Sequence, residues 1–284
     1  MNNSAKNQLK DKAFKYFGIF CTFLGIFILG VFLVGIVVDG VGKIDWDFMT
    51  NLPSYRANKA GILTAWTGTL WIFFLTAIVA IPLGISAGLY LEEYGKKSRL
   101  ANLLEINITN LAGVPSIIYG ILGLEIFVRM MGLGGSLLAG AFTLSLLILP
   151  VIIVATRESL KAVPGTLRTA SFALGATKWQ TIWSLVLPAA ASNIITGIIL
   201  ALARAVGETA PLIVIGALAY VPFVASSPMD EFTVMPIQIF NWISRPQHEF
   251  TVNAAAAIAI LLAFVFVMNG LAVYIRLKAK KKQK

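Results

Sequence analysis

The stretch "RESLKAVPGTLRTASFALGATKWQTIWSLVLP", residues 157–188, is a polar interruption between two long apolar runs. Pro164 can open a helix, because its missing N–H would have no helical partner there. "TLRTASFAL" continues with good helix formers and an apolar face. Gly175 permits a sharp change of direction. "TKWQTIWSLVL" then restarts a helix with Trp179, Ile182, Trp183 and Val186 expected on one side, and Pro188 is expected to mark where the chain enters the next apolar run. Two short helices about a glycine hinge, displaying apolar aromatics, suit docking to a partner, or an amphipathic elbow resting on a bilayer.

The surroundings of this stretch are too apolar for water. Hydrophobic residues make up 58% of the 284, charged residues only 13%, and the mean hydropathy is +0.83. So little polar surface cannot cover a soluble globule of this length, which makes the chain an all-α polytopic membrane protein. Six stretches, 16–38, 62–91, 111–131, 136–156, 189–219 and 252–275, have the length that crosses about 30 Å of hydrocarbon. The first follows a lysine-bearing start but is too long for a secretory core and lacks a small-x-small cleavage site, so it reads as a retained helix. No polar stretch is long enough for a separate soluble domain. The division expected is 1–61, holding an N-terminal tail, the first span and an outer loop, and 62–284, holding the remaining spans and a basic tail.

The net charge of +10 would suggest nucleic acid in a soluble protein. Here the basic residues sit between apolar runs and report topology, so no nucleic-acid partner is implied. The segments 1–15, 92–101, 157–188 and 276–284 carry 17 of the 23 Lys and Arg, against 4 in 39–61 and 220–251. Both termini and the 157–188 loop are therefore expected in the cytoplasm, with "RLKAKKKQK" held near anionic lipid headgroups. One cysteine, Cys21, allows no internal disulfide and no cysteine metal site.

The spans carry detail of their own. Ala80, Gly84 and Gly88 repeat at four-residue spacing, a face that lets another helix approach closely. "GLGGS", 132–136, is a tight turn between antiparallel neighbours, and "RLANLLEINITN", 99–110, is expected to lie in the interface before the third crossing. In "ALARAVGETAP", 201–211, an arginine and a glutamate interrupt apolar sequence. Arg204 lies 16 residues past Pro188, about 24 Å along a helix, which places it well inside the membrane. A charge there costs roughly 2.5–3.5 kcal/mol and should meet a partner or a water-filled path. On a helical wheel Asn193, Thr196, Arg204 and Glu208 share one face, while Pro211, with Gly207 four residues before it, should open the helix around 207–211. Polar stripe and break suggest a lumen-facing site. The alternative is that Arg204 and Glu208 neutralise each other and touch no solute. The Glu125 and Arg129 pair sits near a span end, where snorkelling explains it.

Other classes fare worse. "GISAG", 84–88, matches the serine-nucleophile pattern Gly-x-Ser-x-Gly, but the only histidine, His248, lies in a polar loop and could not pair with Ser86. No phosphate-binding loop pattern occurs, so the chain has no nucleotide site of its own. A secondary transporter or channel would use the polar stripe but has no use for the cytoplasmic helix–hinge–helix.

That loop resembles the signature of ABC importer permeases, Glu-Ala-Ala, three residues, Gly, and later Ile-x-Leu-Pro. Ala170, Gly175, Leu187 and Pro188 fall in register, Leu185 stands for the isoleucine, and Thr169 and Ser171 replace the Glu and the second Ala. "NLAGVPSIIYGILGL" (110–124), "LSLLILPVIIVATRESLKAVP" (144–164) and "ALARAVGETAPL" (201–212) narrow the resemblance to phosphate-specific ABC importer permeases, with "GETAPL" similar to the A-type subunit. Sulfate and molybdate permeases of this fold usually carry Gly-Glu-Phe-Gly after the arginine. The resemblance implies the type I (MetI-like) permease fold with six transmembrane helices, and a loop that fits an ATPase socket through Ala170, Gly175, Ala176, Thr177, Lys178, Trp179, Leu187 and Pro188. It also implies a C-type permease subunit, an ATP-binding subunit dimer holding ATP and Mg, an extracytoplasmic phosphate-binding protein, and residence in a prokaryotic cytoplasmic membrane.

Overall fold

The computed structural model describes residues 3–95, 99–217 and 220–282; Lys96, Lys97 and the end of the basic tail lie outside them. In chain order the α-helices are α1 (Asn3–Val41), α2 (Trp46–Thr50), α3 (Leu63–Leu89), α4 (Arg99–Leu111), α5 (Ser116–Gly123), α6 (Leu137–Lys161), α7 (Gly165–Ala173), α8 (Lys178–Thr181), α9 (Leu187–Val206), α10 (Ala210–Val214), α11 (Met235–Ile243) and α12 (His248–Lys282). Three π-helical stretches, Tyr90–Tyr94, Leu124–Met130 and Ile182–Val186, extend α3 and α5 and join α8 to α9. Five helical runs among the described residues are long and apolar enough to cross a membrane. A sixth comes from the pair Ala101–Leu111 and Ser116–Met130, bent by 108°. The bend sets α4 across the end of the third span, in keeping with an interfacial helix.

Helix α6 is the centre of the bundle, with 67% of its apolar window buried. It packs on α3 and α9, while α12 covers α9 and α1 lies outside against α12. The apolar middle of α1 is not buried, which leaves that stretch for lipid. Close contact rests on small residues. A Cβ at Gly84 would lie 2.5 Å from Ile152 Cγ2, one at Gly88 2.7 Å from Thr156 Cβ, and one at Gly197 2.3 Å from Ala155 Cβ. The Ala80, Gly84, Gly88 face is thus the α3–α6 seam, and "GISAG" is mid-helix packing with no strand-to-helix turn around Ser86. We expect Gly84→Val to cost about 1–3 kcal/mol by overpacking and to lower the unfolding midpoint in detergent, whereas Gly25→Val, with open space around it, leaves that midpoint unchanged.

Gly132 and Gly134, at φ +66° and +61°, form the turn before α6, and Ser136 caps that helix by accepting from the Ala139 N–H at 3.3 Å. The loops opposite the 157–188 segment carry a second core, in which Phe48, Ile62, Trp242 and Phe250 bring α2, α11 and the start of α12 together. His248 opens α12 on the exposed surface.

The fifth span departs from its expected limits of 189–219. The helix already begins at Lys178, runs through the π-turn into α9 and stops at Val206. Pro188 therefore lies inside a helical run, directly after the wider π-turn, which accommodates a ring that a regular turn would clash with.

Candidate functional site

The cytoplasmic-type loop and the α9–α10 break lie at opposite ends of the fifth span. Around the break, Gly207 ends α9 at φ −87°, ψ −5°, and α10 resumes at Ala210 with Pro211 next, where the lost N–H is harmless. The α10 segment turns onto α5; a Cβ at Gly120 would lie 2.7 Å from Pro211 Cα. Arg204 Nε stands 3.3 Å from Glu208 Oε1, the two side chains 45% and 17% exposed. Glu208 follows the last residue of α9 in a tightened turn, its N–H donating to Ala205 O at 3.2 Å, and this turn keeps its side chain beside Arg204. Asn193 and Arg204, three turns apart, do share an exposed face, interrupted by the exposed Leu200. Thr196 is half-buried on its flank and donates to Ser192 O at 2.9 Å within the helix. Because the helix starts at Lys178, Arg204 is in the final turn of a 29-residue run and not near its middle. The far end of the span, where the backbone opens, is the place the structure gives this charge.

At the other end, α7 and α8 form the two arms expected around Gly175, whose φ of +84° only glycine adopts without strain. The Gly175 N–H donates to Phe172 O at 3.0 Å and the Ala176 N–H to Ser171 O at 3.2 Å, closing α7. Thr177 begins α8 with a capping box: its hydroxyl accepts from the Gln180 N–H, and its own N–H donates to Gln180 Oε1 at 2.8 Å. Ser171, which replaces an alanine of the signature, spans the hinge with Oγ 2.8 Å from Thr181 Oγ1. Ala170 is exposed on α7 and Leu187 half-buried beyond the π-turn.

The aromatic face divides. Ile182 and Val186 are buried in the bundle, whereas Trp179 and Trp183 face outward with ring centroids 5.2 Å apart. Residues one position apart on a helix lie about 100° apart, so Trp179 with Trp183 and Ile182 with Val186 form two neighbouring stripes, the first open and the second turned into the bundle. Leu174 at the hinge is 90% exposed, and Leu167 and Phe172 are also open. Large apolar side chains exposed together on one loop mark an interaction surface.

Charged groups that span counting passes over hold this loop in place. Arg168 on α7 donates to Glu93 Oε1 from Nη2 at 2.8 Å and Nε at 3.2 Å, and to the carbonyls of Val163 and Leu160 at 2.7 and 2.9 Å. Lys178 donates to the Glu93 carbonyl and lies 4.3 Å from the centre of the Tyr94 ring. Beside it, Arg157 Nη1 meets Glu105 Oε1 of α4 at 2.6 Å and its Nε lies 3.6 Å from Glu92 Oε2. The pairing of Glu92, Glu93 and Glu105 with Arg157 and Arg168 escapes sequence reading, because acidic residues carry little weight in the positive-inside count, which takes the two arginines only as markers of topology. The signal available was the adjacent pair Glu92 and Glu93 at the end of a span, facing a loop with two arginines. Glu125 and Arg129 pair at 3.0 Å on the exposed end of the third span, as snorkelling requires.

A bundle centred on one helix, a broken fifth span and an exposed two-helix loop define a polytopic permease of importer type. Residues 80–281 match the family described as the binding-protein-dependent transport system inner membrane component, and the chain belongs to that family. Over 274 residues it is 30% identical to the probable ABC transporter permease protein YqgI of Bacillus subtilis, covering 91% of this chain and 93% of that one. It is 36% identical to the phosphate transport system permease protein PstA 1 of Mycobacterium tuberculosis, covering 79% and 72%, and 33% identical to PstA of Haemophilus influenzae, covering 87% and 86%. In fold it is similar to a chain of a bacterial ABC transporter involved in alginate import, with TM-score 0.68 and 14% identity over 97% and 99% of the two chains. A chain of the MetNI methionine ABC transporter gives TM-score 0.58 and 19% identity over 75% and 91%. The protein is thus a multi-pass inner-membrane permease subunit of an ABC importer.

Proposed function

We propose that the chain is an A-type permease subunit that, with a C-type permease subunit, forms the path by which inorganic phosphate crosses the bacterial inner membrane. The observation that carries this reading is Arg204 at the opened end of the fifth span, in a chain whose relatives include permeases named for phosphate transport. Phosphate near neutral pH is an oxyanion, and fixed positive charge beside open backbone meets its needs in a low-dielectric wall. Arginine keeps its charge and offers a planar donor fork. Asn193 and Thr196 line the approach. The chain itself carries no nucleotide; ATP and Mg belong to an ATP-binding subunit dimer that docks on the loop around Gly175, Lys178 and Trp179. An extracytoplasmic phosphate-binding protein delivers the solute from the opposite side.

A bacterial strain deleted for this chain should lose high-affinity phosphate uptake and regain it with the gene restored; restored sulfate or molybdate uptake in place of phosphate would overturn the choice of solute. Orientation follows from the Lys and Arg distribution, with both termini inside. In a Cys21→Ser background, Thr166→Cys should be labelled only from the cytoplasmic side and Met229→Cys only from outside. Both positions are exposed, and the reverse pattern would invert the topology.

A further inference from the structure

We propose that Glu93 is a positioning residue for ATP-driven transport, the group through which movement of the two-helix loop reaches the membrane spans. The inference rests on the coupling reading above and deepens it. In the resembled signature a glutamate stands where this chain has Thr169, so α7 lacks its own carboxylate at that position. The structure supplies one from another helix. Glu93, at the π-helical end of α3, is 8% exposed and takes two donors from Arg168 of α7, while its backbone carbonyl accepts from Lys178 at the start of α8. One residue thus grips both arms on either side of the Gly175 hinge.

Arg168 has little freedom to slip. Its remaining donors are fixed on the carbonyls that end α6, so α7, α6 and α3 meet at a single guanidinium. A planar fork satisfied on several sides transmits displacement better than a lone point contact. The neighbouring Glu92 faces Arg157, and through it Glu105 of α4. Helix α4 leads by a short turn into α5, and α5 carries Gly120 against Pro211 at the break beside Arg204. Two consecutive carboxylates at the end of α3 therefore connect the loop with α4 and, through α5, with the opened segment. A packed bundle moves such elements as units, which gives the linkage mechanical content.

The test uses the complete importer, with its partner permease, ATPase and phosphate-loaded binding protein, in proteoliposomes. The readout is phosphate moved per ATP hydrolysed by assembled complex, a ratio that a change in protein amount does not alter. Glu93→Gln should lower that ratio by about fivefold or more, the lower end of measured couplings between sites. Arg168→Gln, which also gives up the bonds to Val163 O and Leu160 O, should lower the ratio at least as far, and the double variant should be no worse than Arg168→Gln alone, because the contact that Glu93→Gln removes is already lost there. Glu93→Asp, which retains the charge, should recover part of the ratio. Glu158→Gln, on the exposed pair with Lys161 at 2.8 Å, should match the wild type. A wild-type ratio in Glu93→Gln overturns the proposal, as does additive loss in the double variant. If Glu93→Gln and Arg168→Gln both insert but fail to assemble, the pair is a folding element and the proposal also falls. Failure of the wild-type chain to bind any ATPase would instead overturn the coupling reading on which it rests.

Discussion

Replacing Arg204 with alanine should reduce phosphate uptake per assembled complex by at least about thirtyfold, equivalent to ~2 kcal/mol, the lower range for truncating one partner of a charged contact once the anion is bound against it. The side chain is 45% exposed in the single subunit and lies beside the 207–209 break, so half of its surface is available to something other than Glu208. Arg204→Lys should also impair uptake, because an ammonium presents a point charge in place of a fork. Glu208→Gln should have a smaller effect. The amide can still accept a hydrogen bond, and loss of the carboxylate leaves the arginine more available to an anion. The double variant Arg204→Ala with Glu208→Gln separates solute contact from helix glue. If the pair only neutralises itself, removing both charges removes the unpaired glutamate and uptake returns. If Arg204 meets the anion, the double variant stays inactive. Wild-type uptake in Arg204→Ala would end the pathway assignment.

How the site could be read from sequence depended on what kind of signal each part carried. Gly175 and Pro164 punctuate the loop by backbone chemistry, which acts locally, so the hinge at φ +84° and the start of α7 at Gly165 were legible. The break at 207–209 was legible for the same reason, through Gly207 and Pro211. The limits of the fifth span were not. Hydropathy marks where apolar sequence lies, and it cannot tell a crossing helix from an α10 segment folded back on α5, nor detect a helix that begins in polar sequence at Lys178. The π-turn at Ile182–Val186 likewise has no simple sequence mark, and apolar character alone grouped Ile182 with Trp183, although one is buried and the other exposed. Long-range pairs were the least visible. Arg168 and Glu93 are 75 positions apart, and only the packing of α3 on α6 brings them together.

Gly175→Pro and Trp179→Glu should each abolish co-purification with the ATPase while the permease still inserts. Proline fixes φ near −65° where the chain needs +84°, and it removes the N–H that donates to Phe172 O. It also disfavours the helical conformation of the preceding Leu174, at φ −83° and ψ +6°. Together these should cost about 3 kcal/mol or more and splay α7 from α8. Trp179→Glu acts without changing the fold. The ring is 59% exposed and rests on Trp183, so a carboxylate there unfolds nothing but sets a charge among the exposed apolar side chains of the loop. Central tryptophans of interfaces typically contribute about 2 kcal/mol or more, some thirtyfold in affinity, and burying the new charge adds to the loss. Trp46→Glu, 80% exposed near the far end of the bundle, controls for a general effect of acidic substitution and should leave ATPase binding intact. The alternative occupant of the patch is the bilayer surface. In that case both loop variants would bind the ATPase as the wild type does and lose membrane contact instead. Normal ATPase recovery and normal uptake from both variants would mean that the two-helix loop rests on lipid and couples to nothing.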